Sequence, residues 1–145
     1  MTTPKLSMRQ LYEEAYINTD YRVLLPRRAL TFRIGMHDPD AEAELQRHCN
    51  IQREWAIITP CNPNSDKTDE DANLTALARL RQELEIVGLR YYNAINQSPD
   101  GEWPELGYLI ADPELAKAKA LGRRYRQNAF VSGTLGQAPK LVWLL

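Results

Sequence analysis

The segment at residues 55–59 (Trp-Ala-Ile-Ile-Thr) restricts the possible folds more than any other part of the chain. It is almost continuously apolar and rich in β-branched side chains, a composition typical of a central strand that is covered on both faces. Prolines, asparagines and a serine follow at residues 60–69, and they predict a loop with defined turn chemistry directly after the strand. The chain is therefore expected to bury this strand in the middle of a sheet.

Residues 71–87 form the most regular helical pattern in the chain. Leucines and a valine recur there at helical spacing, and Gly88 follows where the helix is expected to end. Three further helix starts are predicted from a capping side chain or a proline in the first turn: Ser7 with Gln10, Asp38 with Pro39, and Asp112 with Pro113 and Glu114. At the last of these, Asp112 is expected to act as the side-chain cap.

Strand patterns fill most of the remaining sequence. They lie near residues 21–25, 30–34, 89–95, 106–111, 129–131 and 141–144. Helices and strands alternate only in part, in the order α-β-β-α-β-α-β-β-α-β-β, which disfavours a doubly wound parallel sheet. We predict a single α+β domain over residues 1–145, with a mixed or mainly antiparallel sheet of about six strands and helices packed on it.

Composition and charge argue against several classes of partner, although a local basic patch would still be compatible with them. The chain has 145 residues, of which 43% are hydrophobic, and a formal net charge of -1. This balance suits a domain with its own core and argues against bulk attraction to nucleic acid or to an anionic membrane. No run approaches the ~20 apolar residues of a membrane span, and neither a signal peptide nor a lipid anchor is evident. We expect a cytoplasmic protein with no membrane partner.

The loop at residues 59–65 is the first candidate site. It leaves the end of the most buried predicted strand and leads towards the longest predicted helix, so Asn62, Asn64 and Ser65 are placed to bind a small polar ligand. A helix N-terminus also suits a phosphate or carboxylate. In the alternative interpretation the asparagines only hold the turn. No Gly-rich phosphate-binding motif is present.

The second and third candidates lie at residues 100–105 and 123–128. In the second, Glu105 near Trp103 is a possible acid or base with a raised pKa, or the segment is simply an Asp-Gly turn. In the third, three arginines around a tyrosine suit phosphate or base binding, but cations also stabilise a helix C-terminus. The amides of Gln127 and Asn128 either hold the architecture together or face a ligand.

The cysteines and histidines provide no metal site and no nucleophilic triad. Cys49 and Cys61 are twelve residues apart without a CxxC motif, and His37 and His48 lack zinc-site spacing relative to them. Both histidines also fall outside the three polar segments, and Cys61 has no obvious base. We therefore expect reduced thiols, no metal and no cofactor, and Glu105 is the one credible general acid or base. Whether the protein is an enzyme is left open.

The order of these segments resembles the bacterial family known as domain of unknown function 3293. The resemblance is carried by residues 55–59, Asn62 with Pro63, Asn73, Asp100 with Gly101, Trp103, Glu105 and residues 127–129, and by residues 21–23, 25–26 and 33–35 near the N-terminus. It implies no particular activity, but it joins the three polar segments into one recurring pattern. The chain departs from that pattern at Pro60, where a small residue is usual, and at Tyr125, where phenylalanine is usual.

Two functional hypotheses follow from these sequence patterns. The first is an uncharacterised small-ligand protein in which the polar segments converge on one concavity. Its expected lining is Asn62, Asn64, Ser65, Trp103, Glu105, Gln127 and Asn128. The second is a non-catalytic interaction module that forms homo-oligomers through its apolar C-terminal strand at residues 141–145, with Trp143, Tyr91 and Tyr92 as exposed candidates.

Overall fold

Four helices and seven strands occur in the part of the chain that the structure describes. The computed structural model covers residues 7–98, 100–101 and 104–145, without the side chains of Met8 and Asn64. The elements are α1 (Met8–Ile17), β1 (Asp20–Leu24), β2 (Ala29–Phe32), α2 (Pro39–Cys49), β3 (Glu54–Ile58), α3 (Glu70–Val87), β4 (Tyr91–Gln97), β5 (Glu105–Ala111), α4 (Leu115–Arg124), β6 (Ala129–Thr134) and β7 (Lys140–Trp143). Their order matches the predicted order.

All seven strands belong to one antiparallel sheet. Its strand order is β2-β1-β4-β5-β3-β6-β7, and every neighbouring pair is antiparallel. The predicted α+β fold is confirmed, with one strand more than the expected six. The sheet curls so that its two edge strands, β2 and β7, approach each other. A hydrogen bond of 2.8 Å shows this approach: the Gly35 N–H after β2 donates to the Pro139 carbonyl before β7.

The two faces of the sheet carry separate hydrophobic cores. On the concave face, strand residues such as Trp55 and Ile57 pack with Leu45 of α2, and the rings of Phe32 and Trp55 lie 5.0 Å apart across the curl. On the convex face, the other side of β3 packs against α3 and α4 through Leu80, among others. β3 is thus buried on both faces, as its sequence predicted.

Three of the four predicted helix starts are confirmed. Ser7 and Gln10 form the reciprocal capping box of α1, and Asp38 accepts hydrogen bonds from the first turn of α2. The third is α3, which begins one residue before the predicted position and ends at Gly88 in the left-handed conformation. β4 runs to Gln97, two residues into the segment predicted as a loop.

The prediction for Asp112 is wrong. α4 begins only at Leu115 and has no side-chain cap, while Asp112 adopts a left-handed φ of 49°. Its carboxylate accepts hydrogen bonds from the backbone N–H groups of Gln52, Arg53 and Glu54 at 2.9, 2.8 and 3.1 Å. The side chain stabilises the entry to β3 instead, because one carboxylate holds the backbone N–H groups of three consecutive residues.

We expect Asp112→Ala to lower the free energy of unfolding by about 2 kcal/mol at pH 7, the scale of hydrogen bonds to a charged group. Partial burial alone would raise the pKa of the Asp112 carboxyl, but the three N–H donors and the Arg90 guanidinium outweigh it and lower this pKa. The stabilisation is therefore present above the unfolded pKa and is lost as the pH falls through the folded value.

Urea denaturation at neutral and acidic pH measures this effect. Asp112→Asn is the matched control, because asparagine tolerates the left-handed backbone but provides no negative charge. A variant as stable as the parent protein at pH 7 would contradict the assigned role.

Candidate functional site

A polar cavity lies at one end of the concave face. It has a volume of about 50 Å³, which is room for a few water molecules or a small chemical group. We call it the end cavity. It is lined by Tyr16, Thr19, Tyr21, Ile57, Thr59, Ser65, Asn96, Glu105, Gln127, Ala129, Phe130, Val131 and Leu141.

The strand register brings the polar side chains of this cavity together. Tyr21 of β1 pairs with Asn96 of β4, and Asn96 pairs in turn with Glu105 of β5. Directly paired residues of antiparallel strands point to the same face of a sheet. The three side chains therefore form a row across three adjacent strands on the concave face.

Glu105 supplies the carboxyl group in the described lining of the end cavity. One of its carboxyl oxygens, Oε2, accepts a hydrogen bond from the Asn62 side-chain amide at 2.9 Å. The other, Oε1, accepts none from any described residue. Burial raises the pKa of Glu105 to about 7, and the Asn62 hydrogen bond offsets only part of this shift. At neutral pH the carboxyl is thus poised to give or take a proton.

Asn62 both holds its loop and contacts Glu105. It adopts a left-handed φ of 49°, and its side-chain oxygen accepts from the Thr68 N–H at 3.0 Å and from the Asn73 amide at 3.1 Å. The Asn62 N–H donates back to Asn73. Because the oxygen is held by two donors, the NH₂ group is aimed at Glu105. Asn62 therefore holds its own turn, as one interpretation of the sequence had it, and at the same time contacts the carboxyl of the cavity, which the ligand-site interpretation requires.

A second polar cluster joins α1 to the wall of the cavity. The Tyr16 and Ser65 hydroxyl oxygens lie 2.6 Å apart, and the Asn128 NH₂ donates to them at 3.2 and 3.0 Å respectively. The two hydroxyl groups share one of their protons, so the second proton remains available to a further acceptor.

This cluster does not form an activated nucleophile. Burial raises the pKa of Tyr16, so its phenol is not a base at neutral pH. Burial also raises the pKa of the Cys61 thiol, whose Sγ lies 3.3 Å from the Leu106 carbonyl oxygen. Glu105 is the one described group of the end cavity suited to proton transfer near pH 7.

Two amide side chains retain unused hydrogen-bonding capacity. Gln127 donates through Nε2 to the Cys61 and Tyr125 carbonyls at 3.0 and 3.2 Å, and within the described residues nothing donates to its Oε1. Asn96 is only 9% exposed, and its side chain forms no hydrogen bond with any described residue. Each amide therefore keeps polar atoms that no described residue satisfies and that a ligand in the cavity would contact.

The structure places most of the predicted site residues in or next to the end cavity. Ser65, Glu105 and Gln127 line it, while Asn62 and Asn128 donate hydrogen bonds to side chains of its lining. The Asn64 side chain and Trp103 lie outside the described residues. Whether the residues brought together bind a ligand stays a prediction.

The predicted arginine cluster does not line the cavity. Arg124 forms an ion pair with Glu83 at 2.6 Å, and Arg123 and Arg126 are not among the residues of the cavity wall. In the C-terminal strand, the Trp143 ring packs against Tyr16, so α1 already covers part of that apolar surface.

Sequence reasoning missed Tyr16, Tyr21 and Asn96 as members of the site. Asn96 could have been found from strand periodicity. It lies two residues after Ala94, and side chains two apart on a strand point to the same face, so Asn96 extends the concave face of β4 by one position. Tyr16 had no comparable signal, because a tyrosine on an amphipathic helix normally indicates core packing.

Residues 58–130 match the family model described as Protein of unknown function (DUF3293). The chain belongs to this family. The matched DUF3293 segment contains Asn62, Ser65, Glu105 and Gln127, whereas Tyr16 lies before it. No curated protein and no solved structure matches the chain.

The described residues carry neither a membrane-spanning helix nor a metal-binding cluster. No helix in the described ranges has the length and apolar character required to cross a bilayer. No three His, Cys, Asp or Glu side chains within those ranges are grouped so that they could hold a metal ion.

Proposed function

We propose that this DUF3293 protein binds a small polar ligand in the end cavity, with Glu105 as the ionisable contact. The observation that carries the proposal is the half-buried Glu105 carboxyl, one oxygen of which accepts no hydrogen bond from a described residue. It lies in register beside Asn96, whose amide has no partner among those residues. A bound ligand or ordered water would supply the missing hydrogen bonds.

The lining favours a ligand rich in hydrogen-bond donors over a phosphate. None of the described lining residues is Lys, Arg or His, so a phosphate would face an acid without a compensating cation. The N-terminus of α3 carries Asp69, Glu70 and Asp71, which already occupy the positive end of that helix. The phosphate-bearing alternative is therefore the weaker one.

An enzymatic version of this proposal assigns Glu105 the role of general acid or base. A carboxyl with a pKa of about 7 is matched to proton transfer at neutral pH. Because no activated nucleophile adjoins it among the described residues, the reaction supported here is proton transfer to or from the bound ligand. Glu105→Gln would then remove turnover while the fold persists.

Association through the C-terminal strand and nucleic-acid binding remain predictions with less support. Trp143 is partly covered by Tyr16 and lies 5.7 Å from the Arg9 guanidinium, and Arg124 is paired with Glu83. Light scattering at high protein concentration measures association, and salt-dependent retention on heparin measures nucleic-acid-like binding.

A fragment screen by NMR tests ligand binding directly. We expect at least one small polar compound to perturb the Asn96 and Gln127 side-chain NH₂ signals at millimolar concentration. The same compound should bind at least tenfold more weakly to Glu105→Gln, since about 1.4 kcal/mol corresponds to a factor of ten.

Glu114→Gln is the matched control, because Glu114 is exposed, caps nothing through its side chain and lies outside the end cavity. It should bind like the parent protein. A screen without any binder, or binders that are indifferent to Glu105→Gln, would refute the proposed function.

A further inference from the structure

We propose that the ligand presents a protonated primary amine to Glu105, with its three N–H groups shared among the oxygens of Glu105, Gln127 and Asn96. This inference rests on the proposed function and names the class of ligand. It follows from the hydrogen-bonding capacity that remains in the end cavity, from the charge of its lining and from its size.

The hydrogen-bonding groups of the lining that no described residue uses are mainly acceptors. Glu105 Oε1 receives no hydrogen bond from a described residue, and Gln127 has both protons of Nε2 directed at the carbonyls of Cys61 and Tyr125, which leaves its Oε1 to accept. Asn96, unbonded within the described residues, offers a third oxygen. A primary ammonium group has three donors and no acceptor, so it is able to donate one hydrogen bond to each of the three oxygens. An ionised carboxylate or phosphate offers only acceptors and would leave these oxygens without a donor.

The charge of the lining supports a cation. The described lining contains one carboxyl and no basic side chain, and a carboxylate taken out of water without a partner is costly. The titratable groups that face Glu105 from neighbouring elements are Tyr16 of α1, Tyr21 of β1 and Cys61 after β3. Burial raises the pKa of each, so all three are neutral at pH 7 and none compensates an ionised Glu105.

The size of the cavity restricts the kind of amine. A volume of about 50 Å³ admits an ammonium group with one or two carbons, while a longer ligand would extend out of the cavity. A quaternary ammonium ion is bulkier and has no N–H to donate. The site is therefore expected to prefer primary over quaternary amines.

Binding should strengthen as the pH rises through the pKa of Glu105. The carboxyl is half ionised at about pH 7, whereas a simple alkylamine stays protonated up to about pH 10, like a lysine side chain. Only the ionised carboxylate pairs with the cation. If one proton is released on binding, affinity should rise about tenfold between about pH 6 and about pH 8.5.

The test is a titration of the intact protein at constant ionic strength, followed through the side-chain NH₂ signals of Asn96 and Gln127. The probes are ethylammonium, tetramethylammonium, acetamide and acetate. We expect ethylammonium to bind most tightly, with the tenfold pH dependence, and we expect this dependence to disappear in Glu105→Gln and persist in Glu114→Gln.

The outcomes separate the two proposals. If acetamide binds at the same signals and ethylammonium does not, the amine assignment is overturned while small-ligand binding stands. Tetramethylammonium binding as tightly as ethylammonium, or a flat pH profile, also overturns the assignment. If none of the probes binds and the wider fragment screen finds nothing, both proposals fall.

Discussion

Replacing Glu105 by glutamine is expected to flatten the pH dependence of stability between about pH 4.5 and about pH 7. Burial raises the folded-state pKa of this carboxyl from 4.5 to about 7. In that window the native state holds a proton that the unfolded chain has lost, so the parent protein loses stability as the pH rises. The loss amounts to about 3 kcal/mol at most, since one pKa unit corresponds to about 1.4 kcal/mol.

Glutamine avoids this loss because it stays neutral at every pH. Its side-chain oxygen is still able to accept the hydrogen bond that Asn62 gives to Glu105. The variant should therefore match the parent protein near pH 4.5 and exceed its stability above pH 7. A residue whose replacement stabilises the fold but abolishes binding is kept for function rather than for structure.

Chemical denaturation across this pH range measures the effect. Glu114→Gln, in which an exposed carboxyl is removed, controls for the loss of one negative charge and should run parallel to the parent protein. Equal slopes for Glu105→Gln and the parent would show that Glu105 titrates as an ordinary surface acid.

Gly133→Ala is expected to destabilise the protein by about 3 kcal/mol, which corresponds to a fall in melting temperature of roughly 10 °C for a domain of this size. Gly133 of β6 pairs directly with Trp55 of β3, and the Trp55 side chain is 2% exposed. A Cβ at Gly133 would lie 2.0 Å from the Trp55 ring. The ring cannot retreat, because Phe32 packs against it.

Gly122→Ala is the matched comparison for this prediction. A Cβ at Gly122 meets the end of the Leu144 side chain at 2.4 Å, and that flexible group is able to rotate away. Alanine also favours a helix by about 1 kcal/mol over glycine, so this variant should stay within about 1 kcal/mol of the parent. Thermal unfolding of both variants checks the contrast, and equal melting temperatures would contradict the assigned packing of Trp55.

The order of the elements could be predicted because each one carries a local signal. The apolar run at residues 55–59 identified the central strand, and capping residues identified the starts of α1 and α2. The prediction that Asp112 caps a helix was wrong because the local sequence is ambiguous. An aspartate before a proline is a common helix cap, yet here three backbone donors from a segment sixty residues away compete for the same carboxylate.

The site was predictable in its parts but not as an arrangement. Asn62, Ser65, Glu105 and Gln127 lie in polar segments that a linear sequence displays. The row of Tyr21, Asn96 and Glu105 depends on the register of three strands, and a shift of one residue would turn each side chain to the opposite face. Register is a property of the assembled sheet, so no local pattern specified it.

The hydrogen bond from Asn62 also determines where Glu105 keeps its proton. Because Thr68 and Asn73 occupy the amide oxygen of Asn62, its nitrogen always donates to Oε2 of the carboxyl. When Glu105 is neutral, its hydrogen therefore resides on Oε1, the atom without a protein partner among the described residues. Proton exchange at Glu105 is thus expected to be directional, at the oxygen that accepts no hydrogen bond from a described residue.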